Sequence, residues 1–180
     1  DKIKPLYDGF SMILRRNFSA DELTKITVYE AIAYEILEEK IKDLPHLFRL
    51  DLSVNLKLYW LSKNLPEVFQ RICDQYIEVF PFIRRIDIKD LKSVQPNIRH
   101  PGFVPVFSIK EKDVDNWVPL QELSSGMQKV LLILTDICTL PAGGLYLIDE
   151  YENSLGISAI DFLPTFLTQL ETDAQFIMTS

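Results

Sequence analysis

The sequence predicts an α/β fold built on a parallel sheet, with a mainly helical segment ahead of it. Three observations carry this. Leu145-Tyr146-Leu147-Ile148 is a short apolar run suited to a parallel strand covered on both faces, and it ends in the acids Asp149-Glu150. An apolar helix pattern precedes it, opened by the polar turn Leu123-Ser124-Ser125-Gly126, running to about Leu140 and followed by Gly143-Gly144. A second helix pattern, Ser158–Leu170, leads into another apolar run, Phe176–Thr179. Strand, helix, strand in that order makes the two strands parallel neighbours joined by a right-handed crossover.

Taken in order, residues 1–18 mix apolar and basic side chains with no clean period. Ser19–Glu22 and Thr27–Glu30 are successive capping-box patterns, and the second is expected to open an amphipathic helix with Ile32, Ile36, Leu37, Ile41 and Leu44 on one face, closed by Pro45. Leu50–Leu58 alternates apolar and polar residues and reads as a half-buried strand, although Leu50, Val54, Leu58 and Leu61 also fit helical spacing. Asn64 and Pro66 introduce a helix with Val68, Phe69, Ile72, Tyr76 and Phe80 on one side, stopping at Pro81. Phe82–Lys89 and Phe103–Lys112 read as strands around a loop holding Pro96, Pro101 and Gly102. Asp113–Asn116 is a turn into Trp117–Leu123, with Trp117 expected in the core. Ser158–Leu170 carries Pro164 as a kink. The expected division is a mainly helical, insertion-like segment at 1–81 and an α/β lobe at 82–180.

Composition excludes several classes. With 47% hydrophobic and 25% charged residues the chain is an ordinary globular one, and its 180 residues suffice for a single well-buried core. Net charge is −7, and all of it lies after Lys129, the last cation, where seven acids stand unopposed. Residues 1–129 balance 19 basic against 19 acidic side chains, so no strongly basic face points to nucleic acid. Cys73 and Cys138 sit in apolar helical stretches without CxxC spacing and are expected to be buried free thiols of a reducing, cytoplasmic compartment. No run of 18 apolar residues suggests a membrane span. His46 and His100 have no partner at metal-ligand spacing.

The chemistry concentrates between 123 and 156. A strand ending in Asp149-Glu150 brings two acids to the carboxyl edge of a sheet, where open α/β sheets bind ligands. One acid can hold a hydrated metal while the other orients or deprotonates water, which is what nucleotide hydrolysis needs. Ser124, Ser125 and Gly126 supply a complementary half: a hydroxyl to cap the helix, and a helix N-terminus whose free amides and dipole favour a phosphate that glycine lets come close.

With Glu152-Asn153-Ser154-Leu155-Gly156 following directly, this order resembles the ABC-type ATPase superfamily, and within it the head domains of SMC-like, RecF-like and OLD-family proteins. Leu123–Met127 looks like the signature motif, Leu145–Glu150 like the Walker B strand, Glu152–Gly156 like the D-loop and Gln175–Ser180 like the strand that ends in a switch histidine. The resemblance implies an ABC-ATPase-like P-loop NTPase fold, present in part, with a helical insertion before the signature. It implies ATP and Mg2+ as cofactors in a head-to-head homodimer: Asp149 at the metal, Glu150 as the catalytic base, Ser124, Ser125 and Gly126 at the partner's γ-phosphate, and Asn153 and Ser154 along the same interface. Heads of this branch are coupled to DNA processing, an attached nuclease or antiphage defence. Position 127 is Met where the family has Gln or Glu, with Gln128 adjacent. None of the six glycines belongs to a Gly-x-x-x-x-Gly-Lys-Ser/Thr loop, so the chain is expected to be the C-terminal part of a head and inactive alone. The alternative is a non-hydrolysing scaffold that keeps the fold; Asp149-Glu150 favours the enzyme and Met127 the scaffold.

Overall fold

The computed structural model describes residues 9–18, 23, 27–31, 33–153 and 155–179. In chain order its elements are β1 (Ile13–Asn17), α1 (Tyr34–Lys40), α2 (Leu44–Arg49), α3 (Val54–Asn64), α4 (Pro66–Val79), β2 (Ile83–Asp90), the short α5 (Leu91–Val94), β3 (Pro105–Glu111), β4 (Val118–Pro119), a 3-10 turn at Leu120–Glu122, α6 (Ser125–Thr139), β5 (Leu145–Asp149), α7 (Ile157–Gln169) and β6 (Gln175–Met178). They form two three-stranded sheets, β1-β5-β6 and β2-β3-β4.

The first sheet is parallel throughout, with β5 in the centre. Tyr146 lies opposite Phe176 and Ile148 opposite Met178, so the two runs that the sequence marks as neighbours are paired in parallel as expected. On the other side Arg15 faces Leu147 and Asn17 faces Asp149. The second sheet is antiparallel, and its long strands agree with the runs at 82–89 and 103–112 to within a few residues.

Five local expectations are corrected. Leu50–Leu58 is not a strand: α3 starts at Val54, and Ser53 caps it by accepting a hydrogen bond from the Leu56 amide at 3.4 Å. Val54, Asn55, Leu56, Lys57 and Leu58 are all buried, so alternation there marks no exposed face and helical spacing prevails. Pro45 does not close a helix but lies in the first turn of α2, where its missing N–H leaves nothing unpaired. The preceding helix is only Tyr34–Lys40; the whole of the first capping box, 19–22, and Ile32 lie outside the described residues. Trp117 is a half-buried surface ring, not core, with Lys89 Nζ 4.5 Å and the Arg85 guanidinium 5.6 Å from its centre. Finally, β5 is not covered on both faces. Tyr146 and Ile148 are buried whereas Leu145 and Leu147 are half-buried, and Ile13 and Ile177 on that second face are exposed.

The core runs without a break from Leu37, Leu47, Leu58 and Leu61 through Ile72, Tyr76 and Phe107 to Val130, Leu134, Tyr146 and Leu163. Each such side chain contributes about 1.5–3 kcal/mol relative to exposure. Most polar groups inside it are matched, the Trp60 indole N–H being a buried donor without a partner among the described residues. Asn55 Oδ1 accepts from the Phe107 amide at 2.9 Å, serving β3 where no neighbouring strand does. Beneath the parallel sheet, Arg16 Nε and Nη2 donate to Asp136 Oδ2 and Oδ1 at 2.8 and 3.0 Å, and the Tyr146 hydroxyl donates to Oδ2 at 3.0 Å. Both thiols are free, and burial pushes Cys73 up to about 12 and Cys138 up to about 11, which leaves them unreactive. No helix among the described residues is long and apolar enough to cross a membrane.

Candidate functional site

Helix α6 starts where the polar turn stands, and Ser124 Oγ accepts from the Met127 amide at 3.3 Å, the N-cap its position forecasts. Ser124 and Ser125 are exposed and Gly126 is half-buried. The turn is anchored from behind. Gln128 Nε2 donates to the Leu120 and Leu123 carbonyls, each at 3.1 Å, and the Tyr76 hydroxyl donates to the Met127 carbonyl at 3.2 Å. The amide of Gln128 is therefore engaged with backbone and does not stand in for the family's residue at Met127.

From α6 the chain folds straight back along itself. Asp136 touches Tyr146, Leu140 crowds Gly144 (a Cβ there would meet the Pro141 carbonyl at 2.8 Å), and Lys129 reaches Glu150. β5 thus runs antiparallel to α6, and its acidic end returns to the helix start. The carboxylates do not lie at the far end of the helix–strand excursion, as sequence separation alone suggests.

Asp149 ends β5 half-buried and Glu150 follows it exposed. Thr179, just past β6, links the two: its Oγ1 accepts from the Glu150 amide at 3.0 Å and donates to Asp149 Oδ1 at 2.6 Å. Arg15 Nη2 lies 3.5 Å from Asp149 Oδ2. The Thr179 hydroxyl first, and Arg15 after it, hold the Asp149 carboxyl below the usual carboxylate range, so it stays ionised at neutral pH. Glu150 has a φ of 49°, a left-handed conformation that costs a residue with a side chain about 1–2 kcal/mol. Its surroundings hold it there. The Asn153 amide donates to the Glu150 carbonyl at 3.0 Å, Asn153 Nδ2 donates to Glu150 Oε2 at 3.3 Å, and Lys129 Nζ donates to the carbonyls of Glu150 at 3.0 Å and Asn153 at 2.8 Å. Ser154 lies outside the described residues.

The structure thus gathers Asp149, Glu150 and Asn153 at one sheet edge, while Ser124–Gly126 open the helix whose second turn sends Lys129 to that edge. Sequence reasoning missed Thr179, Arg15 and Lys129. Thr179 had a signal, a hydroxyl one residue past the strand that pairs with β5. Arg15 and Lys129 had none, since β1 shows no period and a lysine in an apolar helix reads as an exposed charge.

The donor set at this edge is not that of a dedicated metal cage. No group of three or more His, Cys, Asp or Glu side chains gathers at metal-binding distance among the described residues. One ionised carboxylate beside a hydroxyl is what Mg2+ takes when waters and phosphates supply its other ligands.

A parallel sheet with acids at the carboxyl end of its central strand, beside a capped helix start, makes an α/β domain of P-loop NTPase-like fold. The chain belongs to the family described as "AAA domain, putative AbiEii toxin, Type IV TA system", which matches residues 17–180. Among solved structures it is similar to that of an SmcHead bound to the C-winged helix domain of ScpA, with a TM-score of 0.53 and 11% identity. That likeness covers 95% of this chain and 47% of the other, so this chain spans about half the length of the head it matches. No curated protein matches it in sequence.

Proposed function

We propose that this chain is the C-terminal part of an ABC-type ATPase head, carrying its signature, Walker B strand and D-loop and using ATP and Mg2+ in the cytoplasm at a head-to-head homodimer interface. The reading is supported above all by the Asp149–Thr179–Glu150 edge, an ionised carboxylate tied to a neighbour held in a left-handed conformation. Asp149 would hold Mg2+, which supplies charge neutralisation at the phosphates. Glu150 takes the proton of the attacking water, and Asn153 orients it through its 3.3 Å contact. Ser124, Ser125 and Gly126 present hydroxyls and free helix-terminal amides to the nucleotide held by the other subunit, with Asn153 and Ser154 along the same seam. Residues 1–81 serve as the insertion and 82–180 as the ATPase lobe, completed by β1. Coupling to DNA processing, to an associated nuclease or to antiphage defence of the OLD kind is part of this proposal. The toxin–antitoxin wording of the family description agrees with a defensive role.

The test uses intact heads that also carry a phosphate-binding loop. Glu150→Gln should lower kcat by about 10²–10⁴-fold while ATP stays bound. Ser125→Arg should block ATP-driven dimerisation but spare binding to the monomer. Mixing the two variants leaves one composite site with both lesions and the other with neither, so phosphate release should reappear. A mixed dimer that forms and stays silent overturns the trans assignment, full turnover by Glu150→Gln alone overturns Glu150 as the base, and intact wild-type heads that release no phosphate overturn the ATPase reading. The scaffold alternative is favoured by Met127, for which Gln128 offers no substitute; it requires that the wild-type dimer bind ATP without releasing phosphate.

A further inference from the structure

Lys129 is the most deeply buried cation described in the parallel-sheet half, at 0% exposure, and no other basic residue follows it in the chain. Nζ donates to the carbonyls of Glu150 and Asn153, and the ring of Phe18 lies 4.4 Å from it. Both carbonyls belong to the loop that fixes the Glu150 side chain, and the Glu150 carbonyl also accepts from the Asn153 amide. A lysine stem is flexible when exposed, but here it is enclosed along its length and ends on two acceptors, so it behaves as a short rod. One end of that rod is attached to α6 four residues beyond Ser125, a single helical turn from the exposed serines. The other end is attached to the peptide plane that follows Glu150.

We infer that Lys129 is a positioning residue that carries movement of the Ser124–Gly126 turn onto the Glu150 carboxylate of the same chain. A ligand pressing on the start of α6 shifts the helix along or about its axis. Nζ moves with it, and the Glu150 and Asn153 carbonyls follow because they share that one donor group. Glu150, already at a positive φ, has few backbone alternatives, so a small displacement of the carbonyl re-aims its side chain. Burial pushes the Lys129 ammonium down to about 8, with the Glu150 carboxylate acting the other way. The link survives loss of the proton, because a neutral amine keeps two N–H groups for two carbonyls.

This inference rests on the ATPase reading, and complementation between variants separates the two. In intact heads, Lys129→Met should lower kcat by about 10–100-fold while the ATP dissociation constant changes less than about twofold, the signature of a misaimed group and not of lost binding. If Lys129→Met fails to fold or to bind ATP, Lys129→Gln, which keeps an N–H donor group, carries the same measurement. Because the lesion acts through Glu150 of its own chain, the variant should be rescued by mixing with Ser125→Arg subunits and not with Glu150→Gln subunits. The opposite pattern, rescue by Glu150→Gln, would mean that Lys129 only shapes the turn and would overturn the proposal, as would wild-type turnover. Should Glu150→Gln itself keep full activity, the proposal fails while the ATPase reading stands; intact wild-type heads that release no phosphate would instead fail the ATPase reading.

Discussion

β3, at the centre of the antiparallel sheet, buries Pro105 through Ile109 in succession, whereas β5, at the centre of the parallel sheet, fully buries only Tyr146 and Ile148. The surroundings differ in kind as well. The antiparallel sheet and the helices around it are joined by apolar packing and neutral hydrogen bonds such as Asn55 to Phe107, its ion pairs (Arg85 and Lys89 to Asp87, Arg84 and Lys110 to Asp115) lying at the surface. The parallel sheet is tied to its helix by charge, through Arg16 to Asp136 below and Lys129 to the acidic loop at the edge. The half that carries the candidate chemistry therefore depends on directed contacts between few groups, and the other half on diffuse burial. Directed contacts fix angles that burial alone leaves free, which is what an acid aimed at a water requires.

That contrast can be broken by substitution. Asp136→Ala removes the fully buried carboxylate that takes two Arg16 nitrogens and the Tyr146 hydroxyl, and should cost about 3–5 kcal/mol in urea unfolding. Asn55→Ala should cost less, about 1–3 kcal/mol, because it removes the acceptor of a single buried amide while the apolar packing around it stays. Were Asn55→Ala the more damaging of the two, the division between charge-tied and burial-tied halves would be wrong. Ser124→Ala is the smallest, about 1 kcal/mol for loss of the cap, read as a drop in unfolding midpoint. Its use is to separate the turn's structural share from any effect on nucleotide.

The same division governs what could be read from sequence. The segment from Ser124 to Asp149 was legible because each signal there has one meaning: a capping serine, an apolar helix, a glycine pair and a strand ending in acids. The helix from Pro66 was legible for the same reason. Leu50–Leu58 was not, since its part from Ser53 onward is buried on all sides, which erases the difference between period two and period 3.6. β1 was illegible for the opposite reason. Arg15 and Arg16 interrupt its apolar pattern because one is at the Asp149 edge and the other pairs with Asp136 through the sheet's underside. At the site, the acids and the turn were visible as residue types, but Thr179 and Lys129 join it only through the fold.

The two tryptophans of this chain, Trp60 within α3 and Trp117 under Lys89 and Arg85, both lie outside the parallel sheet and its two helices. The enclosed indole emits from an apolar setting and the cation-capped one from a polar, charged setting, so the pair differs in colour and in access to quenchers. The parallel-sheet half contributes no indole and is dark in that channel. If nucleotide binds at the acidic edge as proposed, any change in tryptophan emission on adding it is then a message that has left that edge and arrived in the other half of the molecule, legible without a label.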